Sequence, residues 1–246
     1  MRIAILADIH ANYQALQAVL ADIDTQNIDD IICLGDNIGY GPQPDEVVRA
    51  LMTRNIFSIT GNHELGLHDK RYYKRLNFTP QDSLDLTRDL LSEETLAWSI
   101  ALPTHVLRHG ARFVHGSPPD SPTQYIVNPT DKKMKRLLAS YPEQLCFYGH
   151  THNMEMFICE EDKSTIIHKA HLNANTYTFV DQSRYLITPG SVGQPRDWLN
   201  RKAKYGIWQI PENTIEIRAL SYDVQTTIAL LNKSKFHSSN AARLGG

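Results

Sequence analysis

Cysteine is scarce in this chain of 246 residues, and the few cysteines are isolated from one another. Cys33, Cys146 and Cys159 lie in apolar, strand-like segments, and no Cys-x-x-Cys pair occurs. Their odd number argues against a disulfide framework. We therefore predict buried, unreactive thiols in a reducing compartment.

Long apolar segments and a strong charge of one sign are also missing. No stretch approaches the roughly 20 apolar residues of a membrane span, and the apolar run at residues 3–7 is too short for a signal peptide. We therefore expect a cytoplasmic protein. With 25 Lys and Arg residues against 27 Asp and Glu residues, the net charge is −2. This balance gives no general reason to expect binding to nucleic acid or to an anionic membrane, and nothing here specifies an oligomeric state.

Apolar strands and amphipathic helices alternate through the first sixty residues. The pattern predicts strands at residues 3–7, 31–34 and 56–60, with one helix from about Asn12 and another from Pro44 to about residue 53. Asparagine is a good helix N-cap, and proline suits a first helical turn. A βαβαβ order predicts parallel strands with right-handed crossovers, and hence an α/β fold.

We predict a single domain over residues 1–232, with a helical insertion at about 68–103. Further strands are expected near residues 105–107, 112–115 and 145–148, and a helix near 131–140. Residues 154–220 are predicted to form short strands of a second, mainly antiparallel sheet. A last helix near 224–232 precedes residues 233–246, whose polar and small residues predict a mobile tail.

Five short polar motifs each follow a strand-like segment, and they carry the chemically informative residues. They are Asp8-Ile9-His10, Gly35-Asp36-Asn37, Gly61-Asn62-His63-Glu64, His115-Gly116 and Gly149-His150-Thr151-His152. A single sheet could bring these strand ends together, and with them the side chains of two Asp, of Asn62 and of five His. Mixed oxygen and imidazole donors suit Mn²⁺, Fe, Co²⁺, Ni²⁺ or Zn²⁺ better than Ca²⁺.

Taken singly, each motif has an ordinary explanation. Asp8 and His10 are two residues apart, so an extended segment would point both side chains the same way. Asp36 could bridge two ions through its carboxylate oxygens, yet its motif alone would be a turn. Asn62 could be a helix cap, and a lone histidine at a strand end is usually structural. The five motifs together, at the same kind of strand end, favour a dinuclear metal site.

The order D-x-H, G-D, G-N-H, H and G-H-x-H resembles the pattern of the calcineurin-like metallophosphoesterase superfamily, and all five elements occur between residues 8 and 152. The resemblance implies a four-layer αββα sandwich of two mixed β-sheets flanked by helices. It also implies two divalent transition-metal ions per chain. By motif position, Asp8, His10 and His152 would bind the first ion, Asn62, His115 and His150 would bind the second, Asp36 would bridge them, and His63 would be the catalytic histidine.

The chemistry implied by the resemblance is hydrolysis of a phosphoester. Two ions roughly 3.5–4 Å apart would lower the pKa of a bridging water, and the resulting hydroxide would attack phosphorus in line. His63 would stabilise developing charge or protonate the leaving oxygen. Residues 189–196 (PGSVGQPR) resemble a signature of small bacterial and archaeal phosphodiesterase-like members. We therefore expect a phosphodiesterase or nucleotide phosphatase whose partner is a small phosphoester such as a nucleotide.

Candidate substrate contacts lie outside the five motifs. Arg196 could bind phosphate, because a guanidinium group can engage phosphate bidentately, although a surface arginine in a turn is an equal alternative. Residues 71–75 (RYYKR) could bind a nucleotide by stacking and charge, but such a run is more often a solvated helix face. Weaker candidates, without an assigned role, are Tyr40, His68 and Asp197.

Three alternative functions are weighed against this one. The superfamily's protein Ser/Thr phosphatases carry Asp-Arg-Gly soon after G-D, whereas Asp36 is followed by Asn-Ile-Gly, so a phosphoprotein substrate is disfavoured. A non-catalytic interaction module would usually have lost metal ligands, and here every ligand position carries the expected residue type. Many relatives carry Gly and Asp at the positions of Ala11 and Glu64, but neither difference removes a ligand. A metallo-β-lactamase-like enzyme would require H-x-H-x-D-H, and His152 is followed by Asn-Met.

Overall fold

The computed structural model describes residues 1–160, 167–197 and 201–245, so parts of the predicted 154–220 and 233–246 segments lie outside it. Its elements in chain order are β1 (Arg2–Leu6), α1 (Tyr13–Ile23), β2 (Asp30–Cys33), α2 (Pro44–Thr53), β3 (Phe57–Ser58), α3 (Asn62–His68), α4 (Lys70–Tyr73), α5 (Phe78–Leu90), α6 (Glu93–Ile100), β4 (His105–Arg108), β5 (Ala111–Val114), α7 (Asp131–Ala139), β6 (Leu145–Phe147), β7 (Met154–Glu160), β8 (Ile167–His171), β9 (Thr176–Thr178), β10 (Ser183–Pro189), β11 (Ala203–Gln209), β12 (Thr214–Leu220), α8 (Val224–Lys233) and α9 (Ser238–Gly245). The predicted βαβαβ start is confirmed, with Asn12 capping α1 through the Ala15 amide.

The described strands form two mixed sheets of six strands each. Their orders are β3-β2-β1-β11-β12-β9 and β4-β5-β6-β10-β7-β8. In the first sheet β1, β2 and β3 are parallel, and in the second β5, β6 and β10 are parallel. The prediction that residues 154–220 form a second, mainly antiparallel sheet holds for β7, β8 and β10, which lie in the second sheet, but it is wrong for β9, β11 and β12, which join the first sheet. The alternation within a strand specifies which faces are buried, but it does not specify the partner strand.

Helices cover the outer face of each sheet, which confirms the four-layer αββα sandwich. Successive residues of β1 point to opposite faces: Ile3 and Ile5 pack between the sheets, whereas Ala4 and Leu6 pack against α1 and α2. Residues of α7 cover the outer face of the second sheet. Because the parallel strands of both sheets end on the same side, their following loops meet at one edge of the sandwich.

The cysteines behave largely as predicted. Cys33 and Cys146 are fully buried, Cys159 is half-buried, and all three are free thiols. Burial raises the pKa of the Cys33 thiol to about 12, which keeps it protonated and unreactive. None of the helices in the described ranges has the length and apolar composition to cross a membrane.

Residues 68–103, predicted to be a helical insertion, contain helices α4, α5 and α6, but residues 238–245 differ from their prediction. Residues 238–245, predicted as part of a polar tail, form α9, which packs on α8. Phe236, Ala241 and Leu244 bury their apolar surfaces against Leu231. These residues are few and widely spaced, so their helical periodicity is hard to recognise among the polar residues around them.

Candidate metal centre

The five polar motifs meet at the edge of the sandwich where the parallel strands end. Their loops are joined by backbone hydrogen bonds: the Asp8 amide donates to the Gly35 carbonyl at 3.1 Å, and the Gly149 amide donates to the His115 carbonyl at 2.8 Å. All eight predicted metal-site and catalytic side chains in these motifs are at most 6% exposed. The structure thus brings together all of the residues that the motifs singled out.

One cluster of donors contains Asp8, His10 and His152. Nε2 of His152 lies 3.1 Å from Nε2 of His10 and 3.5 Å from Oδ1 of Asp8. The donor atoms of these three residues lie within 4.8 Å of one another. Two imidazole nitrogens and a carboxylate oxygen at this spacing could surround one ion.

A second cluster contains Asp36, His115, His150 and Asn62. Nε2 of His115 lies 3.2 Å from Nδ1 of His150, 3.3 Å from Oδ1 of Asn62 and 3.2 Å from Oδ2 of Asp36. The same Oδ2 atom of Asp36 lies 3.7 Å from Nε2 of His10 in the first cluster. Asp36 therefore stands between the two clusters, which is where a shared carboxylate ligand would have to lie.

The outer ring nitrogen of each clustered histidine faces a backbone carbonyl. The contacts are His10 Nδ1 to Ile38 O at 3.1 Å, His115 Nδ1 to Leu34 O at 2.7 Å, His152 Nδ1 to Gln194 O at 2.6 Å and His150 Nε2 to Thr123 O at 3.3 Å. Because a carbonyl only accepts, each outer nitrogen must carry the hydrogen. In a neutral ring the inner nitrogen then presents a lone pair, as a metal-binding imidazole does.

These lone pairs point at one another, so the donor set fits a pair of cations. Two unprotonated nitrogens 3.1 Å apart, as in His10 and His152, repel each other unless a positive charge lies between them. Burial lowers the pKa of both rings, which favours their neutral, ligand-competent forms. Burial raises the pKa of Asp8 to about 7, and a nearby cation would relieve this cost of burying a carboxylate.

His115 carries the compensating positive charge when no ion is bound. Burial alone would lower its pKa, but the carboxylates of Asp36 and Asp8 outweigh that effect and raise the pKa from 6.5 to about 9. The folded state therefore holds the proton more tightly than the unfolded state does. This stabilisation is fully present below about pH 6.5 and is lost as the pH rises through 9.

The metal-free protein should therefore lose stability between pH 7 and pH 9. We expect a loss on the order of 1–3 kcal/mol, seen as a lower thermal midpoint after chelator treatment and dialysis. The protein reloaded with Mn²⁺ should show a smaller loss, because the ion replaces the proton at His115. Equal losses in the two forms would show that His115 does not exchange its proton for an ion.

The backbone at the site is unusual. Asp8, His10, Asp36, His150 and His152 all have left-handed conformations, with φ of 54°, 48°, 53°, 66° and 60°. The expectation that Asp8 and His10 lie on one side of an extended segment is therefore wrong in its reasoning, although their side chains do converge. Clustered left-handed residues cost free energy, and such strain is typical of functional sites.

Glu64 ties two of the loops together. Its fully buried carboxylate accepts hydrogen bonds from the amides of Asp36 at 3.0 Å, Asn37 at 2.7 Å and Gly61 at 2.8 Å. Gly35 and Gly61 allow this approach, because a Cβ on Gly35 would lie 2.5 Å from the Gly61 nitrogen. Sequence reasoning registered Glu64 only as a departure from the family pattern. It is a positioning residue for Asp36.

Replacing Glu64 by glutamine should destabilise the protein. The glutamine side chain has an NH2 group where glutamate has an oxygen. An NH2 group cannot accept a hydrogen bond, so at least one of the three backbone N–H groups would be left without a partner. We expect the free energy of unfolding to fall by about 2–3 kcal/mol, measured by denaturant titration. Glu64→Asp keeps the charge and both oxygens and should lose less, whereas Glu212→Gln, at an exposed turn, should lose almost nothing. Equal stability of Glu64→Gln and the wild type would refute the positioning role.

His63 lies beside both clusters but is held differently from the other histidines. Its ring centroid is 5.0 Å from that of His10 and 4.5 Å from that of Tyr40. Its Nδ1 atom is buried without a hydrogen-bond partner among the described residues. Burial lowers the pKa of His63. The ring also lies next to Asp36, because the donor atoms of His10, Asp36 and His63 lie within 4.8 Å of one another.

The rim of the site is built from tyrosines and Arg196. Tyr125 stacks on His150 with ring centroids 3.5 Å apart, and its hydroxyl lies beside Arg196. Tyr40 packs on His10, and Tyr72 reaches Asn62. Neither Tyr125 nor Tyr72 was singled out individually by sequence reasoning. Tyr72 does belong to the 71–75 run, whose three basic residues are exposed.

Two weaker candidates do not join the site. His68 is exposed at the end of α3. Asp197 is 2.7 Å from Nζ of Lys204, with which it forms an ion pair. Neither residue belongs to the two donor clusters, and neither was assigned a role from the sequence.

The 189–196 segment holds the first loop and His152 in place. Ser191 Oγ and the Gly193 amide both donate to the Asp8 carbonyl, at 2.8 and 3.0 Å. The carbonyl of Gln194 accepts from His152 at 2.6 Å. The signature that suggested a substrate class therefore also supports the loops that carry the first donor cluster. The last residue of the segment, Arg196, lies at the rim of the site beside Tyr125.

Fold and donor clusters together define the class of this protein as a metallophosphoesterase. A family model described as calcineurin-like phosphoesterase matches residues 1–154, and the chain belongs to this family. The uncharacterized protein MJ0912 of Methanocaldococcus jannaschii is 32% identical over 242 residues, covering 95% of this chain and 93% of that protein. A metallophosphoesterase from Sphaerobacter thermophilus, known from a crystal structure, is 32% identical in sequence. The match has a TM-score of 0.83 and covers 100% of this chain and 98% of that one. The hypothetical protein PH1004 from Pyrococcus horikoshii OT3 shares the fold at 18% identity, with a TM-score of 0.79 and coverage of 100% and 98%.

Proposed function

We propose that this protein hydrolyses phosphodiesters or nucleotide phosphates with the help of two divalent transition-metal ions. One observation carries the proposal: the inner ring nitrogens of two sets of buried imidazoles converge on either side of the Asp36 carboxylate. Asp8, His10 and His152 would hold one ion, Asn62, His115 and His150 the other, and Asp36 both. When bound, such ions lower the pKa of water and neutralise phosphate charge.

The remaining residues orient the substrate and handle the proton. His63 stands outside the two donor sets. Its ring can donate an N–H to a phosphoryl oxygen, and in its protonated form it can give a proton to the leaving oxygen. Arg196 can neutralise a phosphate oxygen at the rim. Glu64 holds the Asp36 loop against the His63 loop, which keeps the ring and the shared carboxylate at a constant separation.

The aromatic rim supports an organic phosphoester with a flat group. The rings of Tyr40, Tyr72 and Tyr125 surround the donor clusters and offer π-faces to a nucleobase or an aryl group. A substrate with only inorganic phosphate would make no use of these rings. This rim, with the 189–196 segment, favours a diester or a nucleotide over a phosphoprotein.

The proposal is tested by reconstitution. The chelator-stripped protein is reloaded separately with Mn²⁺, Fe²⁺, Co²⁺, Ni²⁺ and Zn²⁺, its metal content is measured, and hydrolysis of bis(4-nitrophenyl) phosphate and 4-nitrophenyl phosphate is followed. We expect about two ions per chain, metal-dependent turnover, and a higher kcat/KM for the diester. Exclusive cleavage of the monoester would refute the diesterase proposal, and failure to bind metal would favour a non-catalytic interaction module.

A further inference from the structure

A cavity of about 780 Å³ lies beside the donor clusters, between the 189–196 segment and α9. Its volume is in the range of small-molecule sites. Thr151, between two clustered histidines, forms part of its wall, as does Gln194, whose carbonyl contacts His152. The cavity therefore opens next to the first donor cluster.

Arginine dominates the charge of this cavity. Arg196, Arg201 and Arg243 line it, and the acidic side chain in its wall, Asp197, is already paired with Lys204. Within the described part of the chain, none of the three arginines forms an ion pair. Arg196 contacts the Gln194 side-chain oxygen at 3.3 Å, and Arg201 donates to the Leu244 carbonyl at 3.2 Å. Guanidinium groups that have no carboxylate partner are suited to an anion, above all to phosphate.

Arg243 connects this cavity to the catalytic histidine candidate. Its guanidinium carbon lies 5.5 Å from the centroid of the Tyr40 ring. The Tyr40 ring also contacts the rings of His63 and His10, with centroids 4.5 and 4.9 Å apart. Arg243 is therefore only one side chain away from the donor clusters, although it lies near the end of the chain.

A second feature of α9 indicates that its inner face is built to bind polar groups. Asn240 is 2% exposed, and neither its side-chain nitrogen nor its oxygen has a hydrogen-bond partner among the described residues. The amide faces a small gap bordered by His10, Tyr40 and Gln194. A buried amide without partners costs free energy, so such groups usually meet a ligand or a water.

We propose that the arginine cavity binds a second phosphate group of the substrate, next to the phosphoryl group that is hydrolysed. This inference rests on the proposed function and narrows its substrate class to phosphate compounds that carry at least two phosphate groups. Hydrolysis still adds one water across one P–O bond, and the arginines hold the phosphate that stays intact. Helix α9 is then part of the substrate site.

The test compares substrates with and without a second phosphate. In diadenosine tetraphosphate the further phosphates belong to an anhydride chain. A 4-nitrophenyl ester of a nucleoside 3′,5′-bisphosphate has a second phosphate on another carbon of the ribose. The control substrate, bis(4-nitrophenyl) phosphate, has no second phosphate. All three are assayed with the Mn²⁺-loaded wild type, Arg243→Gln, Arg243→Lys and the double variant Arg201→Gln/Arg243→Gln. Arg136→Gln, exposed on α7, is the matched control.

We expect Arg243→Gln to lower kcat/KM for at least one doubly phosphorylated substrate by about tenfold more than for bis(4-nitrophenyl) phosphate. Most of this effect should lie in KM. The double variant should lose more, Arg243→Lys should recover part of the loss, and Arg136→Gln should match the wild type. An effect with diadenosine tetraphosphate would show that the second phosphate is part of an anhydride chain. An effect with the bisphosphate ester would show that it is a separate ester.

Two negative results have different meanings. If the wild type cleaves bis(4-nitrophenyl) phosphate but the arginine variants change all substrates equally, the second-phosphate subsite is refuted and the proposed function stands. If the metal-loaded wild type cleaves none of the compounds, the proposed function itself fails. Circular dichroism and metal content of each variant separate both results from misfolding.

Discussion

Asp36→Asn is expected to reduce kcat/KM for bis(4-nitrophenyl) phosphate by about 10³-fold or more. The substitution removes the negative charge from the position between the two donor clusters, where Oδ2 lies 3.2 Å from His115 and 3.7 Å from His10. The other oxygen accepts from the His63 amide at 2.9 Å, and an asparagine oxygen can keep that bond. The fold should therefore survive while the metal content falls below two ions per chain.

Metal analysis and kinetics on the same preparation check this expectation. Asp89→Asn, at an exposed position of α5, removes an equal charge outside the donor clusters and should behave as the wild type. If Asp36→Asn kept two ions and stayed within tenfold of wild-type activity, Asp36 would not be a shared ligand. Circular dichroism should show the same secondary structure in both variants.

His63→Ala is expected to lower kcat by about 10²- to 10⁴-fold, the usual contribution of a proton-transferring side chain. Metal content should remain near two ions per chain, because His63 stands outside both proposed ligand sets. His68→Ala, in the same helix but exposed, is the matched control and should keep full activity. Loss of an ion in His63→Ala would show that the ring is a ligand instead.

A series of leaving groups separates the two roles open to His63. If the ring protonates the leaving oxygen, the defect of His63→Ala should be larger for a phenyl ester than for a 4-nitrophenyl ester, because phenoxide is the poorer leaving group. If the ring stabilises charge on the phosphoryl oxygens, the two defects should be similar. An undiminished kcat for both esters would exclude both roles.

The order of the five motifs predicted the fold through its resemblance to the calcineurin-like pattern, and it selected the residues that meet at the strand ends. The selection of residues succeeded because each motif follows a buried strand, and parallel strands end on one side of a sheet. It was less successful for the geometry: Asp8 and His10 converge through left-handed backbone, not through extended alternation. Backbone conformation of that kind depends on the surrounding loops, so a short motif does not reveal it.

The residues that sequence reasoning missed act across long separations. Glu64 accepts a hydrogen bond from Asp36, which precedes it by 28 residues in the chain, and another from Gly61 in its own loop. Tyr125 stacks on His150 without belonging to any recognisable motif. Helix α9 reaches the site only because β11 and β12 return the chain to the first sheet. Pairing between distant strands is the information that a single sequence lacks.

The left-handed backbone at Asp8, His10, Asp36, His150 and His152 has an evolutionary consequence. Aspartate, asparagine, histidine and glycine tolerate this conformation, whereas β-branched residues do not. A lineage released from selection for hydrolysis would still be restricted to those residue types at these positions. In relatives that have lost the activity, we therefore expect asparagine or glycine at these five positions, with the fold retained. Valine or isoleucine would instead signal that the loop itself had been rebuilt.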